Sequence, residues 1–138
     1  MQIAHKLNEV AQPCDIAAVY DAGVIGYFSN QRVINLDGLA NSYTYLNKYL
    51  RPSKFLEYLE KEKVSVYLLR DQHVSNRSEV ASGKYDLAQF IPDSRLKFRR
   101  QDELFRYAIP GAFTVIAYRY NNGSSATCAA SDPVLQMQ

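Results

Sequence analysis

Long apolar runs are the first feature that this sequence lacks. No stretch approaches the roughly 18 consecutive apolar residues of a membrane span, and Met1 is followed by a mixed, amphipathic segment instead of a signal peptide. Charge of one sign is also scarce: the net charge is +2 and the basic residues are scattered, so nothing predicts nucleic-acid binding. These absences leave an ordinary globular chain of single-domain length, 138 residues.

Side chains for metal binding or covalent catalysis are equally few. His5 and His73 are the two histidines, and neither has a second ligand at metal spacing, so we predict no metal site. No Ser-His-Asp or Cys-His arrangement is recognisable, and we assign no catalytic residue and no cofactor. Cys14 precedes the first predicted strand and Cys128 follows the last. The two cysteines either form a disulfide or remain unpaired thiols.

The apolar pattern of the first half predicts a parallel β-α-β core. Three short apolar runs are typical of buried parallel strands, and helical segments separate them. The predicted strands are Ile16–Tyr20, Val33–Leu36 and Val64–Leu69. Because a helical crossover joins each strand to the next, we expect the three strands to be contiguous in one sheet.

The second half predicts an antiparallel meander that extends this sheet. Its predicted strands are Leu96–Arg99, Leu104–Ile109 and Ala112–Tyr120. Connections as short as Gln101-Asp102 and Pro110-Gly111 join antiparallel neighbours. The sequence therefore predicts a three-layer α/β fold, with a single domain over residues 1–120 and a flexible tail over 121–138.

Acidic residues follow all three strands of the first half. Asp21, Asp37 and Asp71, which we name the acidic rim, would meet at the carboxyl edge of the sheet, where ligands bind in open α/β folds. Such carboxylates can bind a hard cation or sugar hydroxyls, or act as acid and base. The alternative is that each Asp caps the turn or helix that follows it.

Two rim residues, Asp21 and Asp37, and two residues expected beside them, Tyr27 and Asn41, are our candidate ligand-binding residues. Arg32 and Arg70 are the nearest basic residues in sequence that could compensate two carboxylates lying close together.

Two glycines follow Asp21 in the segment Asp-Ala-Gly-Val-Ile-Gly. A dinucleotide fingerprint needs a third glycine at the position of Asp21, whose charge would oppose a pyrophosphate, so nucleotide binding is not favoured. We expect Gly23 and Gly26 to allow a tight turn, and Gly26 to let its helix pack directly on the sheet.

Three segments carry a resemblance to a known family. They are Asp21–Ser29, Arg32–Asn41 and Val64–Asp71, which read DAGVIGYFS, RVINLDGLAN and VSVYLLRD. They resemble the C-terminal, extracytoplasmic domain of polytopic bacterial membrane glycosyltransferases of the GT-C superfamily, the lipid-phosphate-sugar-dependent mannosyl- and aminoarabinosyltransferase-like proteins. Soluble tails of that family often read D-x-G-x-x-G-Y-F-S and V-(I/V)-(N/D)-L-D-G-L. The resemblance covers about residues 1–71.

The resemblance implies that the chain is an excised piece of a membrane enzyme, and that its partners are the transmembrane part of the parent and a lipid-linked sugar or glycan acceptor. In that superfamily the chemistry takes place in loops between membrane helices, so the isolated chain would be an accessory domain without transferase activity. An extracytoplasmic location would permit the Cys14–Cys128 disulfide. Two other functions stay open: a stand-alone module that binds a sugar or nucleotide, and a structural or protein-interaction domain.

Overall fold

A five-stranded mixed sheet runs through the computed structural model of the chain, which describes residues 1–36, 42–50, 54–70 and 98–120. The strands are β1 (Ile16–Val19), β2 (Arg32–Asn35), β3 (Val66–Arg70), β4 (Glu103–Ala108) and β5 (Thr114–Arg119). The α-helices are α1 (Gln2–Val10), α2 (Gly23–Phe28), α3 (Tyr43–Tyr45) and α4 (Phe55–Lys61). A π-helical turn, Leu46–Leu50, continues α3, and a 3₁₀ turn, Arg100–Asp102, precedes β4.

The strand order across the sheet is β2-β1-β3-β5-β4. β1 pairs in parallel with β2 on one side and with β3 on the other, so that Val19 lies between Asn35 and Leu68. The predicted parallel, contiguous core is therefore confirmed. β3 then pairs antiparallel with β5, and β5 with β4, which confirms that antiparallel strands extend the sheet.

Helices cover both faces of the sheet, which gives the three predicted layers. On one face, Leu7 of α1 and Ile25 of α2 pack against Val19 and Val66. On the other face, Tyr45, the π-helical turn and α4 pack against Ala18 and Tyr67. The crossover from β1 to β2 uses the first face and the crossover from β2 to β3 uses the second. Two right-handed crossovers that move in opposite directions across the sheet must lie on opposite faces, as these do.

Phe98 corrects the prediction of a strand over Leu96–Arg99. Phe98 and Arg99 have no strand structure, and the rest of that segment lies outside the described residues. Phe98 is instead a core residue, stacked on Tyr118 at 4.8 Å and tilted against Tyr67 at 4.8 Å. The apolar signal of the Leu96–Arg99 segment came from Phe98 in this ring stack, since one buried aromatic in an irregular segment cannot be distinguished from a strand by pattern alone.

Burial, together with the Glu103 carboxylate, raises the pKa of Tyr118 to about 12.

Gly26 does not have the packing role that we expected. A β-carbon added at Gly26 would lie 3.8 Å from the β-carbon of Val33, an ordinary contact, and nothing lies within 4 Å of one added at Gly23. The tight turn after β1 depends on Asp21, whose φ of 57° is left-handed, a conformation that Asp tolerates better than most residues. The prediction of close helix-to-sheet packing at Gly26 is therefore wrong.

Replacing Gly26 by alanine should stabilise the domain. The new methyl group meets no obstacle and alanine is the better helix former, so we expect Gly26→Ala to raise the free energy of unfolding by roughly 0.5–1 kcal/mol. Urea denaturation followed by circular dichroism measures the change. Gly111→Ala is the matched control: Gly111 has a φ of +75° in the β4–β5 turn, so alanine there should destabilise by roughly 1 kcal/mol or more. Equal effects at the two positions would contradict this account.

Candidate functional site

The chain reverses direction across the sheet between β1 and β3. β2 lies on one side of β1 and β3 on the other, so the crevice between the carboxyl ends of β1 and β3 is the topological switch point. Ligands of open α/β sheets bind at such points. Asp21 lies just beyond β1 and Arg70 ends β3, so both residues occupy this position.

An ion pair joins these two residues across the crevice. Nη2 of Arg70 lies 3.1 Å from Oδ2 of Asp21 and also donates to the Asp21 carbonyl oxygen at 3.4 Å. We name Asp21 and Arg70 the switch-point pair. Of the two basic residues considered from sequence, Arg70 is thus the partner of Asp21. Arg32 pairs instead with Glu62, at 2.7 Å.

The Asp21 side chain does not cap the helix that follows it. The N-cap of α2 is Ala22, with no side-chain capping bond, and the Asp21 side chain is 71% exposed. The capping alternative is therefore wrong for Asp21. Its carboxylate faces solvent with one oxygen on Arg70, so it can still accept a hydrogen bond from a ligand.

Arg70 is held more firmly than Asp21. Its guanidinium lies over the Phe113 ring, 4.7 Å from the centroid, and its buried Nε has no hydrogen-bond partner among the described residues. A guanidinium on an aromatic face is oriented by both packing and electrostatics. Because Arg70 offsets the charge of Asp21, the pair suits neutral hydroxyl groups, which both donate and accept, better than a lone cation or anion.

The structure separates Tyr27 from the switch-point pair. α2 starts at the carboxyl edge beside Asp21 and carries the chain back to the amino edge, where β2 begins. Tyr27 is in the last turn of α2, about 9 Å along the helix axis from Asp21. Its side chain is 82% exposed and meets Phe28 edge to face at 4.9 Å.

The other two residues of the acidic rim, Asp37 and Asp71, and the candidate Asn41 lie outside the described residues. A binding role for Asp21, Tyr27, Asp37 and Asn41 stays a prediction.

A second polar cluster, at the amino edge of the sheet, was missed by the sequence reasoning. The buried Asp15 carboxylate accepts hydrogen bonds from Nη1 of Arg119, from the Ser65 hydroxyl and from the Gln12 backbone N–H, each at 2.7 Å. The Ser65 hydroxyl in turn accepts from the N–H of Ile16 at 3.1 Å. Asp15 and Ser65 directly precede the parallel strands β1 and β3, and this shared position in the sequence could have predicted the cluster. From the sequence we consider only the carboxyl ends of the strands.

The Asp15 cluster is suited to structure more than to chemistry. Burial alone raises the pKa of Asp15, but hydrogen bonds from Arg119, Ser65 and Gln12 outweigh burial, and the net pKa lies below the usual 3.8. The Ser65 hydroxyl gives its proton to the carboxylate and its lone pair to a backbone N–H, so it has no activating base. The cluster fastens the starts of β1 and β3 to the end of β5.

Neither a metal centre nor a membrane span is found in the described part of the chain. No group of three or more His, Cys, Asp or Glu side chains there is arranged to hold a metal ion. None of the helices within residues 1–36, 42–50, 54–70 and 98–120 is long and apolar enough to cross a bilayer. Cys14 is disulfide-bonded and is not a free thiol. Cys128 lies outside the described residues, so the Cys14–Cys128 pairing stays a prediction.

Comparison with known proteins identifies a family but no activity. The model of a family described as a domain of unknown function, DUF8728, matches residues 1–122. The chain belongs to this family. No curated protein matches the DUF8728 chain, and no solved structure matches it. The matched range includes all five strands of the sheet and both polar clusters.

Removing the charge of Asp15 should destabilise the domain. Asp15→Asn leaves the partly buried Arg119 guanidinium without its anion, so we expect the free energy of unfolding at pH 7 to fall by roughly 2–3 kcal/mol. Urea denaturation measures it. Glu9→Gln, which removes an exposed carboxylate from α1, is the control and should change stability by less than about 0.5 kcal/mol.

The same pair of variants gives a pH signature. The folded pKa of Asp15 is lower than the unfolded one, so the unfolded chain takes up the proton first as the pH falls. The stability difference between wild type and Asp15→Asn should therefore persist down to about pH 4, the unfolded value. It should shrink below that, as the pH falls through the folded pKa. A difference that already disappears near pH 6 would contradict this assignment.

Proposed function

We propose that this DUF8728 chain is the non-catalytic, extracytoplasmic accessory domain of a polytopic membrane glycosyltransferase of the GT-C superfamily. Its partners would be the transmembrane part of the parent protein and a lipid-linked sugar or glycan acceptor. Its role would be to cover the mouth of the active site and to help orient the acceptor or the lipid-linked donor.

The observation that carries the proposal is the structural role of the DAGVIGYFS segment, which resembles those glycosyltransferases. Its DAGVIGYFS stretch forms the turn after β1 and the helix α2, and its Asp21 is paired with Arg70. One oxygen of this carboxylate is already engaged by Arg70, whose guanidinium stacks on Phe113, so the pair is suited to holding a bound group in place. This favours a positioning domain over a catalytic one.

The pairing of Asp21 with a basic residue agrees with that proposal. Glycosyl transfer and hydrolysis commonly use two carboxyl groups, or a carboxylate with a metal ion. The partner of Asp21 here is a guanidinium, and no metal-ligand group occurs among residues 1–36, 42–50, 54–70 and 98–120. Such a neutral pair can hold a sugar hydroxyl without reacting with it.

Two measurements test the proposal. The gene is expected to encode several membrane-spanning helices upstream of this domain, and a stop codon directly upstream of Met1 would overturn it. In the full-length protein, Asp21→Asn should leave kcat within about tenfold of wild type. Loss of a general acid or base would lower kcat by about 10²–10⁴-fold.

A stand-alone small-molecule-binding module is the second candidate, and the location of the switch-point pair favours it. NMR titration of the domain with simple sugars, calcium and magnesium would detect it as shifts at Asp21 and Arg70. Asp21→Asn is the test variant. Tyr43→Ser is its control, since Tyr43 belongs to α3 on the opposite face of the sheet. As an accessory domain that relies on its parent, the chain is expected to show no shifts at millimolar ligand.

A further inference from the structure

The outward side of α2 is an exposed apolar stripe. Val24, Tyr27 and Phe28 stand at positions i, i+3 and i+4, which lie on one side of a helix, and their exposures are 58%, 82% and 43%. We name these three residues the outer stripe of α2. Ile25, on the inward side, is buried against the sheet.

α2 is therefore apolar on all sides. Its six residues are Gly-Val-Ile-Gly-Tyr-Phe, and the ten residues from Ala22 to Gln31 include no charged side chain. A helix at the surface of a soluble domain normally has a polar outward face, whereas a helix that is apolar all round is covered on both sides. The sheet covers one side of α2. The outer stripe is therefore expected to contact a second surface, and that surface need not be charged.

The size of the stripe argues against a second copy of the chain as that surface. From the exposures of Val24, Tyr27 and Phe28, the stripe offers about 350 Å² of apolar area. A stable protein–protein interface takes about 800 Å² from each partner, and the contact here would be less than half of that. The stripe is large enough, however, to anchor a domain that something else already holds in place.

We propose that the outer stripe of α2 lies in the interfacial layer of the lipid bilayer, among zwitterionic headgroups. This inference rests on the proposed function, which places the domain beside a membrane. A Tyr ring places its apolar body among acyl chains and its hydroxyl among headgroups, and Val24 and Phe28 extend the apolar contact along one side of the helix. Because residues 22–31 carry no charge, the contact does not depend on anionic lipid or on salt.

The contact is weak for the isolated domain and sufficient in the parent. One myristoyl chain gives only marginal membrane binding, with a constant of about 10⁴ M⁻¹, and three side chains bury less apolar area. The isolated domain should accordingly need millimolar lipid. A tether to membrane-spanning helices raises the effective concentration and converts the same contact into a stable orientation.

The chain offers a direct probe, because it contains no tryptophan. Tyr27→Trp places a single tryptophan in the outer stripe. Tyr43→Trp is the matched control, since Tyr43 is 81% exposed and lies in α3, on the opposite face of the sheet. Each variant is mixed with phosphatidylcholine vesicles at millimolar lipid, once without NaCl and once with 0.5 M NaCl, at which the Debye length is about 4 Å. Brominated lipids are then used as quenchers.

We expect emission from Tyr27→Trp to move to shorter wavelength and to be quenched, at both salt concentrations, with no change for Tyr43→Trp. Adding Val24→Ser and Phe28→Ser to Tyr27→Trp should lower the partition coefficient about tenfold or more. No response from Tyr27→Trp, or equal responses from both tryptophans, overturns the inference. So does a Tyr27→Trp emission that is already at short wavelength without lipid, because the chain itself would then cover the stripe.

The outcome is distinguishable from that of the proposed function. Upstream membrane spans combined with no response from Tyr27→Trp would leave the accessory domain in place and remove only its lipid contact. A lipid response without upstream spans would leave a bilayer-binding surface and remove the parent glycosyltransferase.

Discussion

The central position of β1 is the constraint on which the rest of the structure depends. This strand has a parallel neighbour on each side and a helical layer on each face, so its side chains must be apolar and small enough for both layers to pack. Ala17, Ala18 and Val19 meet that requirement and are fully buried. Polar groups at β1 are confined to its two ends, where Asp15 and Asp21 each pair with an arginine from another strand. These ion pairs link β1 to β5 at the amino edge of the sheet and to β3 at the carboxyl edge.

These two ion pairs serve different ends because their surroundings differ. The Asp15 carboxylate is buried and accepts three hydrogen bonds, which lowers its pKa and makes it an integral part of the fold. The Asp21 carboxylate is mostly exposed, and exposed ion pairs contribute little stability. Its position at the switch point, and the stacking of Arg70 on Phe113, therefore suit the proposed orienting role better than a role in stability.

α2 connects the fold to the proposed membrane setting. Its inward residue Ile25 packs in the core, whereas its outer stripe stays exposed beside the described sheet and helices. Buried aromatic residues of the opposite layer show a contrast: the rings of Tyr45 and Tyr49 each pack at a tilt against the ring of Tyr58. Tyr43, in that same layer, is nevertheless 81% exposed, so an outward tyrosine alone does not distinguish α2. What distinguishes α2 is that Tyr27 lies beside the exposed Val24 and Phe28. A lipid surface beside α2 would account for that apolar stripe.

The sequence by itself determined the α/β class, the parallel core and the antiparallel extension, because burial on both faces leaves apolar runs and short turns dictate strand direction. It also placed Asp21 at the end of β1 and named Arg70 as a candidate partner. The tertiary structure alone decided that Arg70 and not Arg32 compensates Asp21, that Asp15 meets Arg119 across 104 positions, and that Tyr27 lies away from Asp21. It also showed Phe98 to be a ring in the core and not part of a strand. Periodicity along the chain reports which side of an element is buried, whereas partners far apart in sequence are chosen by strand order and by the direction of each helix.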